Sequence, residues 1–228
     1  MPLRLTPLAF AALAAFAPPA RASEPPPPRY YFILFGGQSV PFIPRTSHTW
    51  AVYTKATPTV SGAVYLETVT ISWLPVGRDV RVRNLRPVEG HNCTLDQTLA
   101  IMAAHHAQVS MWGPYEIDGC RYELAVQQVA FLESGEVTYR VLDSFTRNPH
   151  VCHCVHAVTY ADPVVKQRIQ PVIRVGEPGT SRLAAMYANG GAFVGYPQTH
   201  DWLIPALGLD RYPIIRRQPG EYVPRQWR

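Results

Sequence analysis

Two histidines and two cysteines alternate within seven positions in the second half of the chain: His150, Cys152, Cys154 and His156. Side chains of these types can bind a transition metal, form a disulfide bond, or act together as a nucleophile and its base. Each chemistry demands a different geometry, so the spacing of the four residues favours some of these functions over others.

Metal binding by the whole motif conflicts with its spacing. A strand rises about 3.3 Å per residue, which would place the outer histidines about 20 Å apart. Zinc ligands all lie within about 2.3 Å of the ion. On a helix, Cys152 and His156 would lie one turn apart and offer two ligands, which His91 and Cys93 could complete. A metal-binding protein is therefore kept as an alternative, but we expect no metal and no cofactor.

Disulfide bonds are the second possibility, since four cysteines allow three pairings that sequence alone cannot separate. A bond between Cys152 and Cys154 would close a small, strained ring. Cys93 and Cys120 lie outside the motif and 27 positions apart, and we predict that they are bridged. A simpler alternative for the cysteines of the motif is burial as small apolar side chains.

The third possibility makes Cys154 a nucleophile. The sequence Asn148-Pro149-His150 predicts a loop, and we expect a helix to begin near Cys154. Unpaired backbone N–H groups and the helix dipole at such a position lower the pKa of a thiol. The same N–H groups could hold an oxyanion. The sequence therefore predicts a reactive Cys154.

A nucleophilic cysteine needs a base, and His48 at the start of a predicted strand is the candidate. A hairpin whose turn centres near Val60 would place His48 opposite Ser72, which could orient the imidazole. Glu67 or Thr70 would replace Ser72 if the turn were centred elsewhere. The alternative for His48 is a surface residue at a strand edge.

The first 22 residues have the pattern of a secretory signal. One arginine, Arg4, precedes an apolar run over positions 5–16, and Ala20-Arg21-Ala22 forms an A-x-A cleavage pattern. Twelve apolar residues are too few to span a bilayer, which takes about 20. We predict cleavage after position 22 and a secreted or periplasmic protein, with an uncleaved anchor as the alternative.

The charge and the apolar content of the rest of the chain narrow the range of binding partners. The formal charge of the whole chain is only +5, and its arginines are scattered rather than clustered, so no nucleic-acid-binding surface is predicted. No segment beyond the signal approaches 18 continuous apolar residues, and no integral membrane segment is expected there. The oligomeric state is not predicted.

The order of predicted elements indicates an α+β fold with a small, mostly antiparallel sheet. A proline-rich linker at positions 23–29 precedes a single domain over 30–228. Strands are predicted at 30–36, in a hairpin at 48–73, and at 76–85 and 136–143; helices at 94–109, at 120–135 and at the motif; an irregular tail from about 177.

The motif resembles that of a known family. HCVHAVTY (positions 153–160) is similar to the N-C-E-H-F-V-T-Y type motif of the lecithin retinol acyltransferase family, a circularly permuted branch of the NlpC-type papain-like fold. HTWAVY (positions 48–53) resembles the family's earlier H-x-G-x-Y motif. The likeness covers roughly positions 30–175, and positions 76–134 would be a helical insertion.

The resemblance implies a papain-like fold, with Cys154 as nucleophile, His48 as base and Ser72 as the third polar residue. It also implies an exported thiol hydrolase or acyltransferase, foremost a peptidase or amidase. The implied substrate is a peptide or acyl compound, with cell-wall peptides among the candidates. His153 stands where the family has Asn, and Trp50 where it has Gly. An inactive papain-like binding module is therefore the main alternative.

Overall fold

The structure, a computed structural model, describes residues 25–77, 80, 86–143, 148–168 and 176–224. Strands in two sheets and helices packed on them give the α+β class that the sequence predicts. The strands are β1 (Arg29–Ser39), β2 (His48–Pro58), β3 (Val64–Ile71), β4 (Trp73–Pro75), β5 (Val88–Asn92), β6 (Ala107–Ile117), β7 (Thr138–Tyr139), β8 (Val151–Cys152) and β9 (Ile214–Arg217). The helices are α1 (Leu95–Ala104), α2 (Gly119–Leu132), α3 (Cys154–Thr159), α4 (Pro163–Arg168), α5 (Glu177–Asn189) and α6 (Leu203–Ala206).

The larger sheet has five strands in the order β3-β2-β1-β6-β9, and the smaller has four in the order β4-β5-β7-β8. Neighbouring strands are antiparallel except for β6 with β9 and β7 with β8. Both sheets are therefore mostly antiparallel, as predicted from the sequence.

The larger sheet is buried on both faces because its central strand β1 is apolar on both. Phe32 and Leu34 belong to one core cluster, which includes residues of α2, α3 and α5. Ile33 and Phe35 belong to another, which includes residues of α1. Successive side chains of a strand point to opposite faces, so α3 and α1 pack on opposite sides of the sheet.

The hairpin of β2 and β3 forms where the sequence predicts it, with a turn over residues 59–63. The Thr59 N–H donates to the Ala63 carbonyl at 2.7 Å, and Gly62 has a φ of +82° that favours glycine. The last paired residues at the open end are Ala51 and Ile71. The turn therefore centres one residue beyond Val60, on which the expected pairing of His48 with Ser72 was based.

The region predicted as a helical insertion, 76–134, contains the helices α1 and α2 and also one strand of each sheet, β5 and β6. The helix expected at 94–109 ends as α1 at Ala104, and His106 then adopts a φ of +50°. The chain continues as the eleven-residue strand β6, which pairs with β1. An apolar run that includes Met111 and Trp112 was not recognised as a strand, because a strand buried on both faces lacks alternation.

The irregular tail expected from about 177 contains the thirteen-residue helix α5. Pro178 lies in its first turn, where a missing N–H is tolerated, so this proline begins a helix rather than interrupting one. A Cβ on Gly36 of β1 would come within 2.7 Å of Thr180 Oγ1, so glycine lets α5 approach the sheet. Further along, β9 extends that sheet.

Two other predictions differ from the structure. The strand expected at 136–143 is only the two-residue β7. No disulfide joins Cys93 to Cys120: all four cysteines are thiols, with Cys93 buried and Cys120 exposed at the first turn of α2. Most of the strand predicted at 76–85, and the signal at 1–22, lie outside the described residues. Within the described part of the chain, no helix has the length and apolar character needed to cross a membrane.

Candidate active site around Cys154

Cys154 is the first residue of α3, as predicted, and it is partly exposed to solvent. The helix packs on β2, and the backbone N–H of Thr49 is near enough to the Cys154 sulfur to act on the pKa of the thiol. Thr49 directly follows His48 in β2. The fold therefore brings the predicted nucleophile to the start of the strand that carries the predicted base.

The imidazole of His48 is buried and held in one orientation. Its Nε2 lies 2.9 Å from Ser72 Oγ, and its ring stacks on Trp50 at a centroid distance of 5.4 Å. Its Nδ1 has no hydrogen-bond partner among the described residues. His48 is thus not a surface residue, and its Nδ1 is available for a further hydrogen bond or a proton transfer.

Ser72 is itself fixed by neighbours that the sequence did not reveal. Thr98 Oγ1 of α1 donates to Ser72 Oγ at 2.7 Å, and the Ser72 backbone N–H donates to Asn92 Oδ1 at 2.8 Å. Ser72 occupies the position expected of the orienting residue. Neither alternative takes this place, since the partner of His48 Nε2 is Ser72 Oγ, and Glu67 pairs with Lys55 at 2.8 Å.

The His48 ring and the Cys154 thiol are not hydrogen-bonded to each other. Ser72 is the partner of Nε2, and Nδ1 has none in the described part of the chain. The sulfur is adjacent to the backbone of Thr49 rather than to the imidazole. The His48 ring lies with Trp50, Ser72 and Thr98 on the α1 side of the larger sheet, whereas α3 packs on the opposite side. Cys154 thus lies at the same end of β2 as His48, but without a direct thiol–imidazole contact.

Burial controls the ionisation of both side chains. It raises the pKa of the Cys154 thiol to about 11, although the N–H groups of Thr49 and Val155 act to lower it. It lowers the pKa of His48 to about 3. Both groups are therefore neutral near pH 7. The sequence predicted a lowered pKa for Cys154; in the structure, desolvation outweighs the field of a helix of six residues.

A second polar cluster lies close to Cys154 and is built by Asp143, His153 and His156, all buried. Asp143 Oδ2 accepts from the His153 backbone N–H at 2.7 Å and lies 2.8 Å from His156 Nδ1. Its other oxygen lies 3.2 Å from His153 Nε2. The two imidazoles stack at a centroid distance of 4.2 Å.

His153 also caps the helix, because its Nδ1 accepts from the N–H groups of Val155 at 3.1 Å and His156 at 3.3 Å. The N–H groups of this first turn were candidates for holding an oxyanion. The N–H groups of Val155 and His156 donate to the His153 ring instead and are not open for that role. Asp143 was also missed; the only signal was a carboxylate at the end of a predicted strand ahead of the motif.

This cluster does not fit a metal ion. Two N–H donors face His153 Nδ1, so that nitrogen carries the lone pair and Nε2 carries the proton of the neutral ring. A protonated Nε2 cannot act as a ligand. The set considered from the sequence, His91 and Cys93 with Cys152 and His156, is not brought together in the described part of the chain.

A cleft of about 440 Å³ lies beside Asn92, which also holds Ser72. It opens between the edge strand β3, the start of α1 and the end of α2, next to the residues that fix His48. Its lining is Thr68, Val69, Thr70, Asn92, Cys93, Thr94, Leu95, Asp96, Val129, Glu133 and Leu207.

The comparisons with known proteins found no matching family model, no matching curated protein and no matching solved structure.

Proposed function

We propose that the protein is an exported thiol hydrolase or acyltransferase, foremost a peptidase or amidase, with Cys154 as nucleophile and His48 as base. One observation carries the proposal: the His48 ring is buried and held by Ser72 at the end of β2, where the Cys154 sulfur lies at the next residue's backbone N–H. A histidine held this way, with one ring nitrogen unengaged, suits proton transfer once substrate binding brings the ring and the Cys154 thiol together.

The proposed chemistry begins from neutral groups. When His48 Nε2 donates to Ser72 Oγ, the lone pair of the ring is on Nδ1. As the Cys154 sulfur forms a bond to the substrate carbonyl carbon, Nδ1 accepts the thiol proton. The imidazolium then protonates the leaving amine or alcohol, which departs and leaves a thioester on Cys154. Water or another acyl acceptor attacks that thioester, loses its proton to His48, and releases Cys154.

Export and substrate class are proposals that rest on the sequence. The signal-like residues 1–22 and the likeness of positions 153–160 to an acyltransferase motif favour a peptide or acyl substrate outside the cytoplasm. The cleft beside Asn92, which is lined by polar and apolar side chains but not by Cys154 or His48, offers room for a remote part of such a substrate. A small-ligand pocket typically has a volume of about 300–1,000 Å³.

An inactive binding module is the second candidate, and one observation favours it. Burial keeps the Cys154 thiol protonated and the His48 imidazole neutral, and the two are not hydrogen-bonded. A resting site of this kind needs a substrate-induced approach of His48 to Cys154 before any reaction. Without that approach, the buried polar groups would serve the fold alone.

The test is acylation of Cys154 by an activated ester. Purified protein is incubated with p-nitrophenyl acetate, and peptide mass spectrometry locates the thioester while absorbance follows release of p-nitrophenol. We expect a thioester on Cys154 in the wild type and in Cys120→Ser, which removes the exposed thiol. It should be absent in Cys154→Ala and strongly reduced in His48→Ala. Acylation of Cys120 alone, or equal acylation in His48→Ala, favours the binding module.

A further inference from the structure

Asp143 contacts His153, the residue before the proposed nucleophile Cys154, at two points. One carboxylate oxygen accepts the His153 backbone N–H at 2.7 Å, and the other lies 3.2 Å from Nε2 of the same residue. Asp143 and His153 are 2% and 6% exposed. Because both ends of His153 are fixed on one buried carboxylate, its ring has little freedom to rotate.

The opposite edge of the same ring fixes the helix. Nδ1 of His153 accepts the N–H groups of Val155 and His156, the residues that follow Cys154. The chain on both sides of Cys154 is therefore tied to a single imidazole. Histidine is an unusual helix cap, since short oxygen-bearing side chains are preferred there.

The cap works in one tautomer only. Nδ1 can accept two N–H groups only if it carries the lone pair, so the proton must be on Nε2. Asp143 Oδ1 lies 3.2 Å from Nε2, and the negative charge of the carboxylate favours the tautomer that carries its proton there and caps the helix. Burial lowers the pKa of His153 to about 4, which keeps the ring neutral near pH 7.

We infer that Asp143 and His153 are positioning residues for Cys154, an inference that rests on the function proposed above. Together they set the first turn of α3 so that the sulfur stays near the Thr49 N–H, at the end of β2 that carries His48. Neither residue touches the substrate carbonyl in this scheme. We call the contacts of Asp143 with His153 and of His153 with the first turn of α3 the clamp. Small displacements of a nucleophile reduce the rate of reaction strongly, so loss of the clamp should lower turnover.

Four variants separate positioning from general stability. His153→Ala removes the cap, whereas His153→Asn supplies an amide oxygen that accepts the same N–H groups. Asp143→Asn directs an N–H donor at the Nε2–H of His153, which disfavours the capping tautomer. The double variant Asp143→Asn/His153→Asn removes that conflict. Asp118→Ala removes the cap of α2 and is the matched control for loss of a helix cap elsewhere.

Two readouts are measured on full-length protein: acylation of Cys154 by p-nitrophenyl acetate, resolved into kcat and KM, and hydrogen exchange of the Val155 and His156 amides. In His153→Ala and Asp143→Asn, we expect kcat to fall roughly tenfold to hundredfold with little change in KM, and exchange of both amides to accelerate. His153→Asn and the double variant should recover most of kcat. Asp118→Ala should lower the melting temperature and leave both readouts unchanged.

The outcomes separate the two proposals. If wild-type Cys154 is acylated but His153→Ala retains the wild-type kcat, the positioning role is overturned whatever the exchange shows. If wild-type Cys154 is not acylated, the proposed function fails, and the exchange data alone decide the clamp. Unchanged exchange of Val155 and His156 in His153→Ala then overturns it, and accelerated exchange supports it.

Discussion

Ser72 Oγ lies 2.9 Å from Nε2 of His48, which is 24 residues away in the sequence. Both side chains are buried, and the pair sits just beyond the last paired residues of the hairpin, Ala51 and Ile71. The contact therefore depends on the chain leaving the β-ladder at Ser72. Thr98, on the neighbouring helix α1, donates to the same oxygen.

His48 and Cys154 are expected to act as one unit. His48→Ala and Cys154→Ala should each abolish nearly all acylation, and the double variant should be no worse than either single variant. Removing the base and removing the nucleophile block the same step, so the losses do not add. Turnover of p-nitrophenyl acetate measures this. Additive losses would mean that the two residues act in separate steps.

Ser72→Ala should lower turnover about tenfold, which is a smaller loss than in His48→Ala, because Ser72 orients the ring and does not move the proton. It should also lower the free energy of unfolding by about 1–3 kcal/mol, since Nε2 of His48 is left buried without a partner. Urea denaturation and steady-state kinetics measure the two effects. Glu67→Gln is the control: Glu67 pairs with Lys55 at the surface, and we expect wild-type turnover.

The thiol of Cys154 should ionise at higher pH than an ordinary cysteine. Burial raises its pKa to about 11, so the fraction of reactive thiolate is small at pH 7 and grows as the pH rises. Iodoacetamide labelling from pH 6 to 11, read by peptide mass spectrometry, should give a later midpoint for Cys154 than for the exposed Cys120. A midpoint below that of Cys120 would instead indicate a thiolate–imidazolium pair with His48.

The sequence was sufficient for the parts of the site that depend on local patterns. The Asn148-Pro149-His150 loop predicted a helix start near Cys154, and α3 begins at that residue. The turn cluster at Pro58 and Gly62 predicted the hairpin, which brings Ser72 to His48 even though the turn centre was one residue off.

The missed features depend on long-range packing. Strand β6 lies between β1 and β9 in the larger sheet and is buried on both faces, so it shows no alternation to distinguish it from a helix. Asp143 reaches His153 only because the parallel pair β7 and β8 brings the two segments together. The pKa of Cys154 was misjudged for a similar reason, since burial cannot be read from a local motif.

The protein should lose stability as the pH falls from about 6.5 towards 4. Burial is the largest cause of the low pKa of His153, about 4; the facing carboxylate of Asp143 raises that pKa and the stacked His156 lowers it. His48 behaves similarly, with a pKa of about 3. The unfolded chain binds protons at these residues near pH 6.5, whereas the folded protein does so only below about 4. Their contribution is thus complete above pH 6.5 and is lost on acidification.

The size of the effect follows from the shift. For His153 a change from 6.5 to about 4 corresponds to about 3 kcal/mol, opposed in part by Glu177, whose pKa is raised by burial. Urea denaturation at pH 7, 5 and 4 measures the loss. His153→Asn should be less sensitive to pH than the wild type, because asparagine does not titrate. His150→Asn, at an exposed position, should retain the wild-type dependence. If the free energy of unfolding depends equally on pH in His153→Asn and in the wild type, His153 does not contribute to the acid sensitivity.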